Sequence, residues 1–440
     1  MTVAGVPTSP TADARPHIVV LGGGFAGLKF CRTISPRLAR VTLIDRQNHH
    51  LFQPLLYQVA TAGLSAPDIA QPIRMLVRNC PHVTVLMAEV TGIDVGQRRV
   101  KTDRGETAYD HLIVAVGGRT SYFGNDAWAH HAPGLKTLDD ALEIRRRLLM
   151  TFECAETEPN EDRKRELMTI VVVGAGPTGV ELAGACSELA RTVLKHDFSH
   201  IDPARARVLL LDAAPRVLPP FPPESSASAE RQLKKLGVEV RVGVKVESVA
   251  ENEIQVGGER IRAANIFWAA GVAASPLTAQ LGAETDRAGR VAVAPDLSLP
   301  GHPEVFALGD IVKLKDANGV VVPGVAPAAL QMGTFAAKLL NGELEAQREG
   351  RSPPPRPAFK YRDKGSMATI GRSAAVAAIG KLRFNGFLAW LAWLFVHLMF
   401  LVGLRNKLSV ATLWVYSYLT FRRAARVITG VGPRPAQPPV

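Results

Sequence analysis

Two short stretches of this chain, GGGFAG at residues 22–27 and GAGPTG at residues 174–179, space their glycines as a backbone wrapping a pyrophosphate requires. Gly22 or Gly174 makes the tight turn, Gly24 or Gly176 lets backbone approach the phosphates, and Gly27 or Gly179 lets a helix pack on a strand. The helix then offers unpaired N–H groups and the positive end of its dipole. Each stretch follows an apolar run, HIVVL or TIVVV, and precedes a second run that ends on an acid. Asp45 closes VTLID, 23 residues after Gly22, and Asp212 closes RVLLLD, 38 after Gly174. A carboxylate at that place suits ribose hydroxyls, and at Asp212 it disfavours a 2′-phosphate. One glycine motif is weak evidence. Two, each in the same strand–turn–helix–strand–acid context, point to two dinucleotide sites.

The surrounding elements repeat as well. YDHLIVAVGG and ANIFWAAGV are strands running into small-residue turns, one per copy, and PEVFALGDI is a further strand ending on Gly309-Asp310. Residues 325–340, VAPAALQMGTFAAKLL, read as a helix starting beyond Pro327, and the Pro-rich EGRSPPPRPAF marks a boundary. At 440 residues, two or three domains are expected. The first fifteen residues lack a basic start and an apolar run, and read as a loose tail. Cys31, Cys80, Cys154 and Cys186 form no CxxC, so neither a disulfide framework, a metal cluster nor a redox-active dithiol is expected.

A very N-terminal GxGxxG, a late strand with Gly-Asp and a second GxGxxG between them resemble the two-dinucleotide flavoprotein disulfide reductases. With no dithiol, electrons must leave the flavin for another acceptor. Five further blocks identify it: HHLFQPLLYQVATAGL, GPTGVELAG, WAAGVAASP, LGD and YRDKGSMATIGR. Together they resemble the type II NADH dehydrogenases, single-chain NADH:quinone oxidoreductases, over about residues 16–430.

The resemblance implies two Rossmann-like, doubly wound domains of α/β class, the NADH domain inserted in the FAD domain. Its expected boundaries are 16–135 and 288–355 for FAD, 136–287 for NADH, and 356–440 for a C-terminal membrane-associating region. It places Gly22, Gly24, Phe25, Ala26, Gly27, Asp45, Arg46, Pro54, Tyr57, Gly117, Gly309, Asp310 and Ala326 at FAD. Gly174, Gly176, Thr178, Gly179, Asp212 and Gly271 fall at NADH. The family's first-domain ATG is AVG here, at residues 115–117. The block from His50 to Leu64 is expected along the flavin, lining the cleft for a quinone head, with Leu55 and Leu56 themselves in the core. His49 and His50 lack Cys or acidic neighbours, and no metal site is expected.

Two residues stand out for catalysis. Glu181, in GVELAG, resembles the family's glutamate near the flavin that relays protons towards quinone. A carboxyl in an apolar cleft has a raised pKa, which suits a proton donor. Its plain alternative is an acid favoured by the helix N-terminus. Gln331 is the second glutamine of the family's AQxxxQ pattern, where both glutamines touch quinone; Pro327 stands at the first. The helix there should point its N-terminus at the flavin and stabilise the negative charge of the reduced ring.

The net charge of +12 is unevenly placed: residues 351–440 carry +13 and the rest of the chain −1. The same segment holds an uncharged run, residues 384–404, and a second apolar-aromatic run, LSVATLWVYSYLTF. The first has the length to span a bilayer, the second is short. Trp390, Trp393, Trp414, Tyr416 and Tyr418 are types that favour a membrane interface. A helical region lying on the cytoplasmic face of the inner membrane is expected, with a buried homodimer interface as the alternative. The basic patch is assigned to lipid, with no nucleic-acid partner. The sequence thus reads as a membrane-bound, FAD-dependent NADH:quinone oxidoreductase that pumps no protons. Two alternatives stay open: a sulfide:quinone oxidoreductase, which needs cysteines near the flavin, and an NADH-responsive flavin-binding protein without quinone turnover.

Overall fold

The computed structural model describes residues 14–420, 422, 423 and 425–429. The expected loose tail lies almost wholly outside the described residues, as do residues 430–440. The chain forms two compact units: residues 14–50, Gln71–Arg119 and Val272–Lys364 make the first; Leu51–Ala70, Thr120–Gly271 and the chain from Gly365 onward make the second.

The first unit is built on a six-stranded sheet in the order Ser298–Leu299, His302–Ala307, His111–Val114, His17–Leu21, Arg40–Asp45, Val83–Met87. All neighbours are parallel except the two-residue edge strand. The central strand His17–Leu21 is buried throughout. That explains its unbroken apolar run, since a parallel strand is covered on both faces. Helix Phe25–Cys31 packs on helix Ala326–Arg348, where Gly333 sits so close to Ala26 that an added Cβ would lie 2.3 Å from its carbonyl oxygen. The second helix begins at Ala326, with Pro327 inside its first turn and not before it. The fixed φ of proline and its missing donor are tolerated there because first-turn N–H groups have no intrahelical acceptor.

The second unit repeats the plan with four parallel strands: Val238–Val242, Arg207–Asp212, Thr169–Val173, Asn265–Trp268. Thr169–Val173 is again buried throughout. Helix Pro177–Glu188 follows its glycine turn, and the short helix Leu56–Ala60 packs against it and against Leu138–Thr157. Leu55 and Leu56 are core, as expected.

The C-terminal region holds the expected helical segment, preceded by strands that the sequence reading did not expect. It opens with an antiparallel sheet of Ser366–Gly371, Ala374–Ile379 and Leu382–Asn385, and only then come helices Gly386–Phe400 and Leu404–Thr420. The uncharged run is therefore split between a strand end and a helix of 15 residues. At 1.5 Å per residue that helix is about 22 Å long, short of a ~30 Å hydrocarbon core. No described helix is long and apolar enough to cross a membrane. The tryptophans also correct the sequence reading: Trp390, Trp393 and Trp414 are buried. Phe387, Leu388, Leu391, Phe395 and Met399 point outward instead, followed by Leu404, Leu408, Val415 and Leu419 on the next helix.

Candidate active site

The two glycine turns have the same geometry. Gly22 and Gly174 take φ of +97° and +103°, and an added Cβ would lie 2.4 Å from the Ala115 carbonyl oxygen or 2.5 Å from the Ala270 nitrogen. Only glycine fits either position. Gly24 and Gly176 cap the following helices, and a Cβ on either would meet no protein atom within 4 Å. That open backbone fits a dinucleotide pyrophosphate. The acids brace the turns: Asp45 accepts from the Gly23 N–H at 2.6 Å and the Gln47 N–H at 2.7 Å. Asp212 accepts from the Ala175 N–H and, at 2.7 Å, from the Ala214 N–H. Each carboxylate keeps further lone pairs for ribose hydroxyls.

Further residues expected at FAD lie in the first unit, several of them at the carboxyl ends of its strands. Gly309, at φ +80°, and Asp310 follow strand His302–Ala307, and an added Cβ on Gly324 would lie 3.4 Å from the Asp310 carboxylate. Asp310 thus sits beside the segment that starts helix Ala326–Arg348. Ala26 is buried, Phe25 and Ala326 half-buried, and Gly117 takes φ +68° with open space beside it. Arg46 is exposed. His50, outside the expected set, is buried with its ring edge-on to Phe25; its Nδ1 donates to the Gly23 carbonyl at 2.9 Å while Nε2 has no protein partner. Burial lowers its pKa, so Nε2 is an unprotonated acceptor suited to a cofactor hydroxyl. Pro54 and Tyr57 fall in the second unit, with Tyr57 buried.

In the second unit Thr178 and Gly271 are exposed, and Gly179 is buried at the helix start. Glu181 is two residues further on and buried. Burial lifts its carboxyl from 4.5 to about 8. The Thr369 N–H, 3.4 Å away, and the indole N–H of Trp393, which has no other partner, draw it back only in part. A carboxyl so placed is neutral at pH 7 and can donate a proton. Tyr57 is raised well above its ordinary value by burial and by the nearby Glu181. Trp393 lies edge-on to Tyr57 and stacks on His397 at 4.1 Å. His397 is lowered to about 4 by burial. The sequence signals for these partners were present but nonlocal: Thr369 is in YRDKGSMATIGR, Trp393 in the apolar run.

Gln331 lies in the first unit. Both ends of its amide are engaged by the backbone of Arg362, Nε2 donating to the carbonyl at 3.0 Å and Oε1 accepting from the N–H at 2.9 Å. Cys31 and Cys186 are buried in or at the end of helices with their thiols raised by burial, so neither is a nucleophile.

Comparison with known proteins shows the family. A pyridine nucleotide-disulphide oxidoreductase family model matches residues 16–333, and an NDH2 C-terminal domain model matches residues 364–423. The chain is 46% identical to the type II NADH:quinone oxidoreductase Ndh of Mycobacterium tuberculosis, over 96% of this chain and 92% of that one. It is 45% identical to NdhA of the same organism, over 97% and 92%. A structure of NDH2 from Plasmodium falciparum in complex with NADH superposes with a TM-score of 0.85 at 20% identity, covering 93% of this chain and 99% of that chain. The chain belongs to the type II NADH:quinone oxidoreductases, within the pyridine nucleotide-disulphide oxidoreductase family.

Proposed function

We propose that the chain oxidises NADH and reduces a membrane quinone, with FAD held by the first glycine turn and NADH by the second. Bound FAD supplies the redox chemistry, receiving a hydride from NADH and passing two electrons to quinone. The protein's residues position, exclude water and handle protons. Gly22, Gly24 and Asp310 hold FAD, with His50 Nε2 placed to accept a hydrogen bond from a hydroxyl. Gly174, Gly176 and Asp212 hold NADH. Glu181 gives a proton to the reduced quinone. Gln331, which also fixes the chain at Arg362 by two hydrogen bonds, is the glutamine we assign to quinone. The observation that carries the reading is Glu181, an acid buried on the helix that follows the second glycine turn, where burial raises its pKa.

The exposed apolar stripe from Phe387 to Leu419, among basic residues such as Lys381, Arg383 and Arg405, supports docking on a membrane surface, and the cytoplasmic face of the inner membrane is the side we assign to it. No step moves a proton across that membrane. Rapid mixing tests the whole reading: NADH should bleach the bound flavin, and a quinone analogue should restore its colour. A flavin that NADH leaves oxidised, or that quinone leaves reduced, overturns it.

A further inference from the structure

A cavity of about 270 Å³ opens beneath Glu181 within the second unit. It follows one face of helix Pro177–Glu188, and both Glu181 and Glu188 line it. Seven residues separate them, two helical turns or ~10 Å. The wall between is polar for an interior, with Tyr57, Thr61, Ser417 and Arg423 on it and the small Ala185 midway. A space of that size has room for a short chain of waters.

Glu188 stands nearer solvent, its side chain 17% exposed. Its carboxylate accepts from Arg423 at 3.1 Å and from the Arg372 N–H, while Arg423 also donates to the Thr61 carbonyl at 2.9 Å. The Arg372 guanidinium lies over the Tyr418 ring, 5.2 Å from its centre. Glu181 is faced by Tyr57, the Thr369 N–H and Trp393.

The reaction sets a demand on this space. NADH + H⁺ + quinone gives NAD⁺ + quinol: the hydride brings both electrons and one proton, and solvent must bring the other. Glu181 can give up its proton once per turnover and must then be refilled. We propose that this cavity supplies that solvent proton to Glu181, and that Glu188, held by Arg423, passes it in. The proposal rests on the reading of Glu181 as proton donor.

The test uses the FAD-loaded enzyme and three measurements. These are reduction by NADH, reoxidation by a soluble quinone analogue, and hydrogen–deuterium exchange of the protonated-carboxyl infrared band that Glu181→Gln removes. Ala185→Leu fills the cavity without touching a charge. It should slow reoxidation about tenfold and slow the exchange of the Glu181 band, with NADH reduction unchanged. Glu188→Gln should do the same, and added formate, a small weak acid, should restore part of the rate. Wild-type exchange and reoxidation in Ala185→Leu, with Glu181→Gln still slow, overturn the cavity proposal alone. Because Glu188→Gln leaves a buried arginine unpaired, Ala185→Leu decides if that variant misfolds. A wild-type reoxidation rate in Glu181→Gln overturns the donor role itself, and the cavity proposal with it.

Discussion

The two glycine turns are near copies, yet the helices leaving them are not. Two residues past the last glycine stands Lys29 in the first unit, exposed, and Glu181 in the second, buried. The first helix is 7 residues long and packs on another helix. The second runs for 12 residues and packs on the strand Ser366–Gly371, where a Cβ on Gly184 would lie 1.7 Å from the Ile370 carbonyl oxygen. Holding a dinucleotide is thus the work of the turn, while the chemistry a unit adds depends on what covers the helix afterwards.

The sharpest way to break the comparison is to strain each turn. Gly22→Ala should yield protein without FAD. Gly174→Ala should keep FAD and lose its reduction by NADH, each change costing roughly 2–4 kcal/mol of local strain and overlap. Flavin absorbance and stopped-flow bleaching separate the two, and loss of both functions from either change would show that the turns do not act separately. Next in size, Glu181→Gln should slow quinone-dependent reoxidation by ~10²-fold and spare NADH reduction. Lys29→Gln, its counterpart, should alter neither.

The pH profile sharpens the same contrast. With the Glu181 carboxyl at about 8, reoxidation should hold steady below pH 8 and fall above it. Stability follows from the same shift. Below pH 4.5 folded and unfolded chains both hold this proton; between 4.5 and about 8 only the folded chain does, so stability falls with rising pH and levels off above 8. The total is up to ~5 kcal/mol. Melting curves of wild type and Glu181→Gln across that window should diverge by the missing slope; parallel curves would mean a carboxyl with an ordinary pKa. A smaller effect is expected at the acids: Asp212→Ala should raise KM for NADH several-fold and narrow the preference over NADPH, while Asp45→Ala weakens FAD retention. Equal use of NADH and NADPH by the unaltered enzyme would remove that role from Asp212. Smallest for catalysis in solution is Leu388→Glu with Phe395→Glu. It should abolish binding to anionic vesicles and leave oxidation of NADH by a soluble acceptor intact; retained vesicle binding would assign the exposed stripe to another partner.

What the sequence made legible was local. The glycine turns, their flanking strands and the closing acids lie within a few tens of residues, and each signal has one physical meaning. The burial of Glu181 was reachable only through resemblance, because Thr369 and Trp393 lie 188 and 212 residues further along the chain. The three C-terminal strands escaped because SMATIG and AAVAAI are small and apolar on both faces, without the alternation of a half-exposed strand. The tryptophans misled because residue type was taken for direction; on helix Gly386–Phe400 it is the phenylalanines and leucines that face out. Gln331 shows what a motif leaves unsaid: the sequence gives the glutamine, and the fold adds its two hydrogen bonds to the backbone at Arg362.

The contact at Gly184 has a consequence for how this architecture is inherited or rebuilt. The C-terminal strands are not an accessory that can be appended to any reductase with two glycine turns. Their seat is a gap on the second nucleotide helix no wider than a hydrogen atom, and it exists only where that helix lacks a side chain. An engineer grafting residues 365–420 onto a related scaffold must bring the glycine along, and a lineage that lost it would have lost the tail in the same step.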